Sequence, residues 1–539
     1  MSARSEASVK RLTLVACIMG SGIVLLDGSV VNVALPTIQR ALGGGLAAQQ
    51  WIVNGYLLTL GSLILVGGSL GDLYGERRVF AVGVSGFGAA SLGCAVAPTI
   101  GALVAARALQ GIAGTLLVPS SLAVIVNTFP EAERGPAIGS WTAWGAIAAV
   151  LGPLAGGELL AIASWRWIFL VNLPLAAACV ALIVSVMPKQ QSPVRESAQE
   201  RRRVDVMGGA LCALGLGGPV FALIEQPRLG WSSPAVYVPL IAGVALLMGF
   251  TLLESRVRDP MLPLGLFRRR NFSAGNIETF AMYAGLAVLF FFLVLFLQQI
   301  GGYTPLQSGL ATLPVALVMF FLSRRFGALA DRFGPRALMG AGPLVAAAGL
   351  LLFQRVGVHV DYLGAVLPAL LVFSLGLAMT VAPLTAAVLA GSERQAGIAS
   401  GVNNAIARIA GLLGTAAVGA AVAASFTSTF ESGLSGMVLG PSARSAVKAA
   451  KRLPLGRPDV QGLPPGQARA ITSAAEAASL HSFHLGLAVA AVLVAVGGMV
   501  GAIGIRNPRG PIPAAECASG QLVGTGLELT ERVAPPQAA

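Results

Sequence analysis

Fourteen long apolar runs, separated by short polar connections, leave this 539-residue chain few ways to fold. Crossing about 30 Å of hydrocarbon takes roughly 20 helical residues. By that length the runs fall near 12–38, 50–71, 79–98, 101–127, 136–162, 166–187, 206–225, 235–253, 273–298, 308–326, 337–355, 361–390, 397–424 and 482–505. Inside lipid every backbone N–H and C=O has to be satisfied within the protein, so each run is expected as a helix. A soluble chain of this length would divide into several domains, but 55% apolar residues with 11% charged ones belong to an all-α polytopic membrane protein. The first run continues past any plausible cleavage site and carries Asp27, so it is read as a retained helix and not as a signal peptide.

The formal charge of +13 reports topology more than a partner. The basic residues sit mostly in short loops, with no aromatic-interleaved basic domain, which argues against nucleic acid. An even number of spans puts both termini on one side. The loops of that side hold Arg77, Arg78, Arg134, Lys189, Arg201 to Arg203, Arg256, Arg258, Arg268 to Arg270, Arg324, Arg325, Arg332 and Arg336. The opposite short loops hold Arg40, Arg166, Arg228 and Arg355. This bias predicts a plasma-membrane protein with both termini cytoplasmic. The basic segment 426–480 falls on the other side and is too long to report topology. Five scattered cysteines without a Cys-x-x-Cys pair, and histidines without ligand spacing, indicate neither disulfide nor metal. No phosphate-binding Gly-x4-Gly-Lys-Ser/Thr loop is present. Cofactor and enzyme readings therefore fall away, and any transport has to draw on an ion gradient.

One polar hairpin occurs twice. Gly68-Ser-Leu-Gly-Asp72-Leu-Tyr-Gly75-Glu-Arg77-Arg78 is matched in register by Gly327-Ala-Leu-Ala-Asp331-Arg-Phe-Gly334-Pro-Arg336. Each copy joins two membrane-length helices. Gly75 and Gly334 supply the positive φ of a tight turn, and each Asp suits a neighbouring helix N-terminus. Two copies at matching places require a duplicated architecture. Eight spans separate the copies where two fused six-helix halves would place six, so two helices are inserted. The plan is a cytoplasmic N-terminus over 1–11, a six-helix bundle over 12–187, a polar linker over 188–204, a two-helix insert over 205–253 and a cytoplasmic loop over 254–271. A second six-helix bundle follows over 272–505, with a long extracytoplasmic loop near 426–480, and the cytoplasmic tail is 506–539.

The hairpin resembles the signature loop between helices 2 and 3 of the major facilitator superfamily, Gly-x-Leu-Ala-Asp-Arg-x-Gly-Arg-Arg, with departures at Leu73 and Glu76. Further motifs carry a resemblance to the fourteen-helix drug:proton antiporter branch, the EmrB/QacA-like group. Leu26-Asp27-Gly-Ser-Val-Val-Asn32-Val-Ala-Leu-Pro36 is similar to its helix 1 motif, and Leu103-x3-Arg107-x2-Gln110-Gly111 to the helix 4 motif associated with proton transfer. Gly145, Gly152, Pro153, Gly156 and Gly157 resemble the antiporter signature of helix 5, with Ala148 in place of its first Gly; in the family this motif marks exporters. Trp165-Arg-Trp-Ile-Phe-Leu-Val-Asn172-Leu-Pro174 is like the stretch opening helix 6. Asn54 stands where some multidrug members carry an acid. The resemblance covers spans 1 to 6 strongly and spans 9 to 14 less so. It implies two six-helix bundles rocking about a central cavity.

Ionisable residues inside spans each cost about 2.5 to 3.5 kcal/mol or more and normally face a cavity or a partner. Here they are Asp27, Arg107, Glu158, Glu278 and Arg408. Asp27 is the first candidate for coupling: burial in an apolar span disfavours its charged form, and the polar Asn32 is expected about one turn further on, on the same face. The other reading is a carboxylate held permanently by an Asn, an Arg or backbone groups. Arg107 is expected to tune a buried acid, or else to form a fixed ion pair. Glu278 and Arg408 lie near span starts and can snorkel, Glu158 can reach the outer interface, and Phe290 to Phe292 read as lipid-facing or packing surface. The resulting expectation is a proton-coupled exporter of amphipathic or hydrophobic small molecules, working in the bilayer without a cofactor. Its rivals are a proton-coupled nutrient importer and a non-transporting scaffold or receptor.

Overall fold

The computed structural model describes residues 3–187, 205–257, 260–389 and 396–507. The expected linker over 188–204 and nearly all of the expected tail lie outside the described residues. Fourteen helices among the described residues are long and apolar enough to cross a membrane.

Helices α1 (Ala3–Leu42), α2 (Leu46–Tyr74), α3 (Glu76–Val96), α4 (Ile100–Thr128), α5 (Glu131–Ile162), α6 (Trp167–Leu170) and α7 (Asn172–Ser185) pack mainly on one another. The short α6 and α7 together make one span. After α8 (Val206–Leu229) and α9 (Pro234–Arg256), a second group follows: α10 (Arg270–Gln299), α11 (Pro305–Phe333), α12 (Pro335–Leu352), α13 (Leu367–Leu389), α14 (Ala396–Gly433), α15 (Pro441–Ala450) and α16 (Pro465–Gly504). Local chemistry sets several boundaries. Thr99 and Asp205 accept hydrogen bonds from Ala102 N and Gly208 N as N-caps, and Thr304 forms a full capping box with Gln307. Gly75 at φ +87° and Gly334 at φ +84° make the two hairpin turns.

The duplication extends to hydrogen bonds. Arg77 donates to the carbonyls of Ile183 and Val184 at the end of α7, 3.2 and 3.0 Å away. Arg336 donates to Ala502 O at the end of α16, 2.7 Å away. Each hairpin arginine thus satisfies orphan carbonyls at the last helix of its own group, where a cation is favoured.

The insert packs α8 against α9 through glycines: a β-carbon on Gly218 would lie 2.8 Å from the Gly243 Cα. Helix α8 then lies along α2 and α14, with Val220 and Ile224 buried against Leu412 and Ala416. The insert therefore flanks one seam between the two groups. On α9, Ile241, Met248 and Leu252 are exposed, the surface expected against lipid chains.

The 426–480 segment departs from the expectation of a long loop. Helix α14 continues to Gly433, α15 occupies Pro441–Ala450, and α16 begins at Pro465, well before the expected 482. The added helix is rich in Ala, Ser and polar residues, so membrane hydropathy does not report it. Phe426, Phe430 and Ile471 give this extension its own buried cluster. The segment also straps the two halves: the Arg452 carbonyl abuts Gly45 between α1 and α2, and Arg457 donates to Ile300 O at 3.1 Å.

Candidate functional site: a one-sided cavity and a buried ion pair

The two helix groups meet at the end remote from the hairpins. There a β-carbon on Gly157 of α5 would lie 2.5 Å from Leu306 Cα, and one on Gly309 of α11 would lie 2.6 Å from Pro153 O. Gln50 of α2 donates to Thr415 O of α14 at 2.6 Å, and the Thr415 hydroxyl donates to Asn54 at 3.0 Å. Gln298 donates to Val33 O at 2.9 Å. A continuous apolar cluster, including Val30, Ile38, Phe291 and Phe296, fills this junction. Towards the hairpins the groups part around a cavity of about 1500 Å³, whose walls run from Thr415 down to Asp72, Glu76, Arg324 and Arg325.

The remaining glycines of the α5 motif face α1. β-Carbons at Gly145, Gly152 and Gly156 would press on Leu25, Ser29 and Val30. The motif thus lets α5 approach α1 on one side and, through Pro153 and Gly157, α11 on the other.

Asp27 and Arg107 form an ion pair, their side chains 0% and 1% exposed. Gln110 and Asn172 each donate to Asp27 Oδ1 at 2.9 Å, and both also donate to Ser91 Oγ, at 2.7 and 3.1 Å. Arg107 donates further to Gln110 Oε1 at 2.6 Å and to Ile52 O at 3.2 Å, and its guanidinium lies 4.2 Å from the Tyr56 ring centre. Helices α1, α2, α3, α4 and α7 all contribute. Arg107 reaches the cavity wall, whereas Asp27 is not among the lining residues and sits behind it. Asp27 and Arg107, proposed from sequence as separate candidates, are therefore direct partners. The expectation that Asn32 shares the Asp27 face is corrected: Asn32 lines the cavity, and five residues of helix turn it roughly 140° away from Asp27.

The secondary candidates separate. Glu158 is exposed on α5 and does not line the cavity. Glu278 does not snorkel: it is 0% exposed, and among the described residues neither carboxyl oxygen has a hydrogen-bond partner. Gly501 of α16 provides its space, since a β-carbon there would collide with the Glu278 carboxyl. Arg408 does not snorkel either; it lines the cavity, with its Cβ against Gly61 of α2. Phe291 and Phe292 are buried packing surface in the apolar junction, and Phe290 and Phe291 in addition line the cavity.

Gly68 and Gly327 sit near Pro119 and Ala382, where α2 nears α4 and α11 nears α13. Asp72, Arg78 and Asp331 are exposed at the hairpin end. Sequence reasoning quoted Gln110 and Asn172 only as motif letters and missed Ser91. Uncharged residues within apolar runs carry little signal until a charged neighbour is placed beside them. Among the described residues no cluster of His, Cys, Asp and Glu suits a metal ion.

The family profile for the Major Facilitator Superfamily matches residues 17–415. Puromycin resistance protein pur8 of Streptomyces alboniger is 38% identical over 408 residues, covering 75% of this chain and 80% of the relative. Multidrug resistance protein Stp of Mycobacterium tuberculosis (strain CDC 1551 / Oshkosh) is 36% identical over 436 residues, 80% of each chain. Methylenomycin A resistance protein of Bacillus subtilis (strain 168) is 34% identical over 444 residues, 81% of this chain and 92% of the relative. Among solved structures, a bacterial homologue of the human lysosomal transporter Spinster superposes with a TM-score of 0.61 at 14% identity, covering 94% of this chain and all of that one, a likeness of fold. With the fold, the repeated hairpins and these relatives in agreement, the chain belongs to the major facilitator superfamily, in the company of its drug- and antibiotic-resistance members.

Proposed function

We propose that this protein exports amphipathic or hydrophobic small molecules across the plasma membrane in exchange for protons, and that it has no enzymatic activity of its own. The observation that carries the reading is the buried Asp27–Arg107 pair, with Arg107 in the wall of the cavity and Asp27 directly behind it. An ion pair inside an apolar bundle is costly to desolvate, and it serves a carrier when substrate and proton compete for it. Protonation of Asp27 would release Arg107, and rearrangement of Arg107 would in turn alter the proton affinity of Asp27. That the relatives are resistance proteins for puromycin and several drugs supports outward transport of such molecules. The arginine content of the loops supports a cytoplasmic side for both termini and both hairpins, and on that reading the present conformation is inward-open. The division into a 12–187 bundle, a 205–253 insert and a 272–505 bundle remains the plan within which the halves rock.

Everted membrane vesicles test this with puromycin, a lipophilic cation and a lipophilic carboxylate as the panel. An imposed pH difference, acid inside, should drive accumulation of at least one of them. Uptake that is indifferent to the pH difference for the whole panel rejects the antiport reading. The hairpins are expected to stabilise the opposite state, closed towards the cytoplasm, by bridging the two bundles there. Asp72→Asn should lower vesicle transport several-fold with expression and thermal stability retained. Normal turnover in that variant would leave the loop as a turn and nothing more.

A further inference from the structure

We propose that the cavity selects organic anions with a broad apolar body, and that Arg408 binds their acidic group; this rests on the export reading and names its substrate class. The charges lining the cavity are unevenly distributed. The carboxylates among the described lining residues are Asp72, Glu76 and Asp205. All three lie at helix ends on the hairpin side, at the mouth, with Arg324 and Arg325 also on the hairpin half of α11. Deeper, the charged lining residues are Arg107 and Arg408. Asp27 neutralises Arg107, and the remaining membrane-depth carboxylates, Glu158 and Glu278, do not line the cavity.

Arg408 is left as the uncompensated charge at depth. It stands roughly three turns, ~18 Å, into α14 from Ala396. Its Nε donates to Asn404 Oδ1 at 3.2 Å. Among the described residues its two terminal nitrogens have no hydrogen-bond partner, and it forms no ion pair. A guanidinium presents a planar fork of donors suited to a carboxylate or phenolate. At membrane depth such a group faces a cavity or a partner and marks a substrate or ion path. In the same cavity Tyr56, Tyr283, Leu286, Phe290 and Phe291 supply a wide, mainly apolar wall for the body of the ligand. A cation placed there would meet Arg408 and, among the described lining residues, find no free carboxylate at its level. Asn54 is engaged with Thr415.

The test is equilibrium binding to the purified full-length protein in detergent, without any gradient, using three probes with one apolar body: pyrenebutyrate, pyrenebutanol and pyrenebutylammonium. Pyrenebutyrate should bind at least tenfold tighter than the alcohol, and the ammonium weaker than the alcohol. Arg408→Gln should bring the acid down to the affinity of the alcohol while leaving the alcohol unchanged. Arg408→Met serves as the second uncharged variant should the first not fold. Equal binding of the three probes, or tightest binding of the ammonium, overturns the proposal. So does an anion preference that survives in either variant, which would assign it to Arg107. Loss of alcohol binding in both variants assigns Arg408 to the fold and equally overturns its role. Because no gradient is involved, a failed anion preference leaves pH-driven export standing. Failed accumulation in vesicles, conversely, leaves the binding preference standing.

Discussion

Everted vesicles carrying Asp27→Asn are expected to lose at least nine-tenths of pH-driven accumulation, while binding of the same compounds without a gradient survives. The reason lies in what surrounds the carboxylate. Asp27 is held by Arg107, Gln110 and Asn172, so Asn at this position keeps the volume and part of the hydrogen bonding while removing the group that takes up a proton. The variant leaves Arg107 buried without its counter-charge, and breaking a buried pair from one side typically costs about 3–5 kcal/mol. Thermal stability should therefore fall, and folding has to be checked separately from transport. Arg107→Ala strands the other partner and should also fail under a proton gradient; wild-type export by that variant would remove it from the cycle. Asp27→Glu should keep part of the accumulation with an altered pH profile. Undiminished pH-driven uptake in Asp27→Asn would mean that Asp27 is a fixed structural carboxylate, and the buried Glu278, which has no hydrogen-bond partner among the described residues, would become the next coupling candidate.

Much of this arrangement is legible in the sequence. Apolar length marks spans because lipid leaves the backbone no partner but itself, and each expected run is occupied by a helix. Legibility stopped where membrane chemistry stops: the 465–481 portion of α16 is helical through packing on α14, so hydropathy started that span late. Asp27 and Arg107 stood out because ionisable residues are rare inside spans, yet nothing in the sequence said that they touch, 80 positions apart. Ser91 and Asn172 carry no charge, and their roles appear only when α3 and α7 are set beside α1. Their distance to a span start makes Arg408 and Glu278 look like snorkelling residues in the sequence. Which face of the helix each occupies, cavity or bundle interior, is a tertiary property.

Gly157→Leu should stop turnover by disfavouring the closed end of the carrier. At that end α5 and α11 are so near that even a methyl group at Gly157 would sit 2.5 Å from Leu306 Cα and 2.8 Å from its backbone nitrogen. Carbon atoms in favourable contact are about 3.5–4.0 Å apart, so the helices have to separate by roughly 1 Å or more, and neither obstacle is a side chain that can turn aside. Over-packing typically costs about 1–3 kcal/mol. One or two kcal/mol already changes a two-state ratio about 5–30-fold, so the substitution acts as a wedge on the conformational equilibrium. Leu313, on the cavity wall, reports the result. In Leu313→Cys protein, an impermeant thiol reagent applied from the side opposite the hairpins should label slowly; adding Gly157→Leu should raise that rate about tenfold and abolish accumulation in vesicles. Gly157→Ala should fall between. Gly145 provides the control, because its β-carbon would meet only the tip of Leu25, 3.0 Å away and within the same bundle. If Gly157→Leu transports normally with unchanged labelling, α5 and α11 separate too easily for their contact to govern the closed state, and the seal has to be sought at the Gln50, Asn54 and Thr415 contact of α2 with α14.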